Sequence, residues 1–306
     1  MSPLSLPLSP ARDRLGWSMA GTAVLGFSLV TPLSKVALIL GLNPAMQNVA
    51  RLALTAVLLA VTLAFTARGH LRVDRRGLGL CLGSGALIGA GALIYLVGLT
   101  SVDSSIAAMI FAVEPLLVLG LLALRGERFT YRQYVRLALA LTGVYFLVGP
   151  GGRVDLLGAG LIALSTFFFA LPMAIMQWSL QGYDSRTITF YMVLGMALIN
   201  LVAWFAQGAP WHEPGAAGWL VIIVLAVVCT YLSRLALATA VKRLGSGQVS
   251  LLVPLELLLA VVWSVLFLGE RLTPAQWFGG ALILTSAALA VVRLRRVPWR
   301  ATTELP

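Results

Sequence analysis

The sequence predicts an all-α integral membrane protein whose ten transmembrane helices form two inverted five-helix repeats. Three observations predict this: the composition, the lengths of the apolar stretches, and a motif that occurs once in each half. Of 306 residues, 59% are hydrophobic and only 11% charged, and the mean hydropathy is +0.94. A soluble domain carries roughly 25% charged residues to cover its surface, so most of this surface faces something other than water. A secreted disulfide scaffold and an ordinary cytosolic enzyme are excluded. The net charge of +11 and isoelectric point near 10.6 do not indicate a nucleic-acid binder. The basic residues sit in short runs between apolar stretches rather than on one solvated face. Cys81 and Cys229 both lie in apolar runs and read as small buried hydrophobes, with no disulfide or metal framework.

A bilayer core about 30 Å thick needs roughly 20 apolar residues per helix. The first such run, at roughly 15–40, is too long for a signal-peptide core and has no cleavage site after it, so it is expected to remain as a helix. Gly41-Leu42-Asn43-Pro44 turns the chain into the second, at roughly 45–67. The third, at roughly 77–99, is rich in glycine, and the fourth, at roughly 104–124, carries Glu114-Pro115 at its centre. The fifth, at roughly 132–149, ends in Gly149-Pro150-Gly151-Gly152. The sixth and seventh lie at roughly 156–179 and 186–207, the latter closed by Gly208-Ala209-Pro210. The eighth, ninth and tenth lie at roughly 217–240, 248–268 and 275–293, with Gly245-Ser246-Gly247 between the eighth and ninth. Residues 1–14 and 294–306 remain as short tails, and 15–149 and 150–293 form the two halves.

Orientation follows from charge. With the N-terminus inside, about 17 of the 22 Lys and Arg residues fall at inner ends, and only Arg153 and Arg271 fall outside. Both termini are therefore expected in the cytoplasm. Lys35, Arg51 and Arg234 are left within spans.

The two halves repeat one text. The segment from Gly98 to Pro115 leads to Gly126-Glu127-Arg128-Phe129-Thr130, and the segment from Ala240 to Leu257 leads to Gly269-Glu270-Arg271-Leu272-Thr273. Five spans per half is an odd number, so equivalent helices must cross the membrane in opposite senses. Inverted repeats of this kind characterise secondary transporters, whose substrate site lies near the midplane between the repeats. The ten-helix plan and the doubled Glu-Pro…Gly-Glu-Arg-x-Thr pattern resemble the EamA family of the drug/metabolite transporter superfamily, over roughly Trp17 to Arg293. In the second repeat Leu257 stands where that family often has proline, and Pro254 lies three residues earlier. The resemblance implies a carrier of small metabolites, commonly an exporter of amino acids or related compounds, in a bacterial inner membrane.

Charges inside an apolar span mark candidate site residues, because a lipid-facing charge there is costly. Glu114 and Glu256, each about ten residues into a span, read as a protonatable pair that meets a substrate ammonium or a proton. The plainer reading is a hydrogen-bonded packing carboxyl. Trp263 lies seven residues after Glu256 on the same face, as an aromatic wall or as packing. Ser28, Thr31 and Lys35 share one stripe, and Asn48, Arg51, Thr55 and Thr62 another, so Lys35 and Arg51 are expected to hold a substrate carboxylate. Snorkelling to the outer interface is their alternative. Arg234, nearer the inner end, is expected to snorkel.

Pro32 and Pro172 occupy corresponding helices and, with Pro115 and Pro254, are candidate kink or gating positions or fixed bends. Tyr95 and Ser84 on the third helix, Ser34, Gln177, Trp178 and Tyr191 are read as cavity lining or packing. The third helix's Gly-xxx-Gly pairs serve most simply contacts within one chain, so a monomer is expected, with a homodimer surface as the alternative. Thr130-x-x-Gln133 and Thr273-Pro274-x-Gln276 read as capping boxes, which makes the repeated Gly-Glu-Arg motif a helix-start device.

An intramembrane enzyme is disfavoured. Both histidines, His70 and His212, fall in loops, and neither a zinc helix nor a phosphate-binding loop occurs. A lipid flippase or passive channel on the same architecture is the closer rival. The expected partners are the lipid bilayer, a small-molecule substrate and protons, with no cofactor, metal or nucleic acid.

Overall fold

The computed structural model describes residues 14–66, 74–123, 131–148, 154–179, 185–208, 211, 213–244 and 252–292. Among them every regular element is helical. In chain order these are α1 (Arg14–Ser28), α2 (Val30–Ile39), α3 (Pro44–Thr66), α4 (Arg75–Ser101), α5 (Ser104–Phe111), α6 (Glu114–Ala123) and α7 (Tyr131–Val148). The second half contributes α8 (Leu156–Ser179), α9 (Ser185–Ala206), α10 (Gly215–Ala226), a π-segment (Val227–Leu232), α11 (Ser233–Leu244), α12 (Val253–Leu268) and α13 (Pro274–Val292). By length and composition, five stretches among the described residues can cross a membrane: Arg14–Ile39, Pro44–Phe65, Arg75–Ser101, Thr187–Ala206 and Gly215–Leu237.

Helix starts follow local chemistry. Asn43 Oδ1 accepts from the Ala45 and Met46 amides at 2.8 and 3.3 Å, with Pro44 at the first helical position of α3. Asp74 caps α4 through the Gly77 amide at 3.2 Å. Asp155 caps α8 through the amides of Leu157 and Gly158 at 3.2 and 3.1 Å. The Ser101 hydroxyl and the Gly158 amide hold the Asp155 carboxyl below the usual carboxylate range. At α13 the expected capping box is present in both directions: Thr273 N donates to Gln276 Oε1 at 2.8 Å and Gln276 N to Thr273 Oγ1 at 3.3 Å. Its counterpart at Thr130 and Gln133 lies outside the described residues.

Two expected spans are interrupted. Leu29 breaks the first into α1 and α2, and the turn at Ala112 and Val113 breaks the fourth into α5 and α6. Each break stands two or three residues before a proline, Pro32 or Pro115, that cannot donate to the preceding turn.

The helices of the two halves pair in matched sets. α4 packs on α8 as α1 packs on α11, and α5 and α6 pack on α8 as α12 packs on α1 and α2. Three further pairs join helices that occupy equivalent places in the halves: α3 with α9, α5 with α12, and α7 with α13. These run in opposite directions. Asn48 near the start of α3 meets Asn200 near the end of α9, and Ser104 at the start of α5 meets Ser264 towards the end of α12. Gly143 of α7 lies against Ile283 of α13, whereas Phe146, further along α7, meets Phe278, further back on α13.

With lipid on the outside, tight packing rather than expulsion from water holds such helices together. A Cβ at Gly85 of α4 would stand 2.2 Å from the Met192 carbonyl oxygen of α9, and one at Gly195 would stand 2.4 Å from that of Leu82. Gly89 likewise faces Met196, whereas Gly79 and Gly83 meet nothing within 4 Å. The Gly85 and Gly89 pair thus packs against another helix of the same chain, and the Gly79 and Gly83 pair does not.

One contact between the halves departs from the sequence reading. Glu270, in the turn between α12 and α13, caps α5 of the other half. Its carboxylate accepts from the amides of Ser104 and Ser105 at 2.7 and 2.9 Å and from their hydroxyls at 2.8 and 2.5 Å. On the same corner, Lys35 Nζ donates to the Leu99 and Val102 carbonyls at 2.5 and 2.8 Å, at the end of α4. A cation thus meets the carbonyl end of α4, and an anion the amide end of α5, as the helix dipoles favour.

Gly85→Ala is expected to destabilise the protein by about 1–3 kcal/mol, the range for overpacking. Gly83→Ala should leave the melting temperature unchanged, and thermal unfolding in detergent compares the two. Glu270→Ala should cost about 2 kcal/mol, the upper end for a lost helix cap, measured the same way.

Candidate functional site

A cavity of about 210 Å³ lies among the two halves. The break at Leu29 lets α1 and α2 present Ser28, Thr31 and Ser34 to it. Ser28 Oγ donates to the Leu25 carbonyl at 2.8 Å and accepts from Trp263 Nε1 at 3.0 Å. Thr31 and the Tyr95 hydroxyl are 3.0 Å apart. Tyr95, Phe111 and Phe169 form an edge-to-face series along one wall, with centroids 5.9 and 5.0 Å apart.

The charged groups come from α3, α11 and α12. Arg51 is only 8% exposed. Its Nη2 donates to Asn48 Oδ1 at 3.0 Å, and its Nε has no partner. Asn48 Nδ2 donates to Asn200 Oδ1 at 3.1 Å, and Asn200 Nδ2 donates to the carbonyls of Gly89 and Met196 at 3.0 and 2.9 Å. Arg234 lines the same cavity, its Nε also buried and unpartnered. Glu256, in the first turn of α12, supplies a carboxylate to the lining.

Arg234 corrects the sequence reading, which placed it in the inner interface. A π-segment precedes it. Thr230 Oγ1 and Ser233 Oγ donate to carbonyls five residues back, Leu225 at 2.8 Å and Val228 at 2.7 Å. The helix face that carries Thr230 also carries Arg234 one turn on, and together with Cys229 it borders the cavity.

The cavity brings together Asn48, Arg51, Tyr95 and Glu256 of the expected site residues. Lys35, Glu114 and Trp263 are not among its described lining. Lys35 sits on the α4 carbonyls, Glu114 opens α6, and Trp263 stacks on Phe267 while reaching the site through Ser28. Pro32, Pro115 and Pro254 each fall in the first turn of a helix, whereas Pro172 is buried inside the continuous α8. Ser84 is buried with no partner for its hydroxyl. The Gln177 and Trp178 side chains lie outside the described residues. Asn200 and the π-segment were not anticipated. A lone amide inside the apolar run 186–207 was the available signal for Asn200; nothing in the sequence marks the π-turn.

The model of the EamA-like transporter family matches residues 14–149 and again 156–292. An uncharacterized transporter of Archaeoglobus fulgidus is 28% identical over 231 residues, covering 74% of this chain and 80% of its own. A probable amino-acid metabolite efflux pump of Escherichia coli K12 is 30% identical over 195 residues, 59% of this chain and 63% of its own. The threonine/homoserine exporter RhtA of the same organism is 29% identical over 161 residues, and this chain spans 52% of its length. A solved structure described only as a crystal structure of a protein superposes with a TM-score of 0.64 at 17% identity, covering 92% of this chain and 98% of that one, a likeness of fold. Two matches of one family model, which between them account for nearly the whole described chain, place this protein in the EamA-like transporter family.

Proposed function

We propose that the protein is a secondary transporter that exports a small carboxylate-bearing metabolite, an amino acid or a related zwitterion. The observation that carries this is one cavity lined by two guanidinium groups, Arg51 and Arg234, and one carboxylate, Glu256. In a low-dielectric slab, guanidinium groups that line a cavity favour an anion within it. Arg51 and Arg234 take the carboxylate, and Glu256 takes the ammonium or a proton. The aromatic wall of Tyr95, Phe111 and Phe169 accepts the apolar part of the cargo. The names borne by two relatives, an amino-acid metabolite efflux pump and a threonine/homoserine exporter, favour the same cargo class.

Alternating access between two inverted five-span halves is the mechanism we infer, in a bacterial inner membrane with both termini cytoplasmic. Opposed packing of equivalent helices, α3 on α9, α5 on α12 and α7 on α13, supports the inversion. The breaks before Pro32 and Pro115 give the first and fourth spans places to bend. Lys35 and Glu270 bind the two helix ends that meet at the corner between α4 and α5.

Purified protein in proteoliposomes, assayed by counterflow of the twenty labelled standard L-amino acids, tests this reading. Saturable exchange of at least one is expected. Unsaturable flux indicates a channel, and lipid movement without solute exchange a flippase; either overturns it. Glu256→Gln is expected to abolish exchange or remove its pH dependence while the protein stays folded; wild-type rate and pH profile in that variant exclude the role. Arg51→Gln should raise half-saturation about ten-fold or more, the loss of a charged hydrogen bond.

A further inference from the structure

We propose that Asn200 is a positioning residue for substrate binding, acting on Arg51 through Asn48. This rests on the reading of Arg51 as a carboxylate-binding group and adds a residue that touches neither the cavity nor the cargo. Asn200 and Asn48 are both 0% exposed.

The polarity of the relay is fixed at its far end. Backbone carbonyls only accept, so the amide nitrogen of Asn200 must be the atom that faces Gly89 O and Met196 O, at 3.0 and 2.9 Å. Both its hydrogens are thereby used. Its oxygen is left to face Asn48, which must then turn its own nitrogen towards Asn200, at 3.1 Å. That leaves Asn48 Oδ1 as an acceptor, and Arg51 Nη2 donates to it at 3.0 Å. No amide along this path can flip without setting a donor against a donor or an acceptor against an acceptor.

The consequence falls on the guanidinium. Its plane is rigid, so anchoring Nη2 fixes where the other nitrogens point. The buried Nε has no protein partner, and Arg51 lines the cavity. A guanidinium edge held in one orientation meets a carboxylate with two parallel hydrogen bonds; a freely rotating one must first be ordered by the cargo. Asn200 thus sets affinity from the interface of α9 with α4, one helix removed from the arginine.

Simple helix gluing by Asn200 would change stability and leave the response to cargo alone, which gives the test. Counterflow is measured with whichever of the twenty labelled L-amino acids the wild-type protein exchanges fastest. Asn200→Ala is expected to raise half-saturation about ten-fold with the maximal rate within about two-fold, the signature of lost ground-state binding. Asn48→Ala should do the same, and the double variant should be no worse than either single one, because the two act in series. In an Asn48→Asp background the carboxylate grips Arg51 unaided, so adding Asn200→Ala should move half-saturation less than two-fold. Should the alanine variant fail to fold, Asn200→Leu, of nearly the same shape, is expected to give the same rise. Wild-type half-saturation in a folded Asn200 variant, or single effects that multiply in the double variant, overturns the proposal while leaving the transport reading intact. Exchange of none of the twenty by the wild-type protein overturns the transport reading, and this inference with it.

Discussion

An ionised side chain within a slab of hydrocarbon has to face inward, because no lipid tail can solvate it. The rest of this molecule is arranged around that constraint. Arg51 and Arg234 lie within the apolar stretches Pro44–Phe65 and Gly215–Leu237, and Glu256 shares their cavity. Three charges from three helices converge only if those helices surround a common space. The breaks before Pro32 and Pro115 and the π-turn between α10 and α11 open that space and aim its lining. Irregular backbone is tolerated at membrane depth where it borders a cavity or protein, and that is where it is found here.

Around the cavity the helices approach each other as closely as their backbones allow. Gly85 against Met192, and Gly195 against Leu82, leave no room for a side-chain carbon. This closeness is what lets Asn200 on α9 reach the Gly89 carbonyl of α4 while still bonding Asn48 of α3. Packing and polar chemistry are therefore one problem: the small residues set the distances across which the amides act. Hydrogen bonds between membrane helices add modestly to stability, so a relay of this kind matters more for the direction in which it points a side chain than for the strength it adds.

The helical architecture and several polar groups of the cavity were legible in the sequence, because hydropathy and charge report directly on exposure to lipid. Asn48, Arg51 and Glu256 stood out as polar groups in apolar runs and do line one space. The failures share a different cause. Lys35 was read along a stripe with Ser28 and Thr31, but the break at Leu29 and the nearness of the α4 carbonyls turn it to a helix end instead. Arg234 was expected at the interface from its place near the inner end, but the face it shares with Thr230 borders the cavity. Glu270 was assigned to the helix that follows it, whereas its hydrogen bonds go to a helix about 165 residues earlier. Each error came from treating a helix as regular and a motif as local. Pattern in one chain records periodicity well and tertiary partnership poorly.

The cap that Glu270 supplies to α5 crosses from one half to the other, so the first half does not complete this helix end by itself. Taken by itself, the N-terminal unit would carry two bare amides at Ser104 and Ser105, and only a second, upside-down unit brings the carboxylate that quiets them.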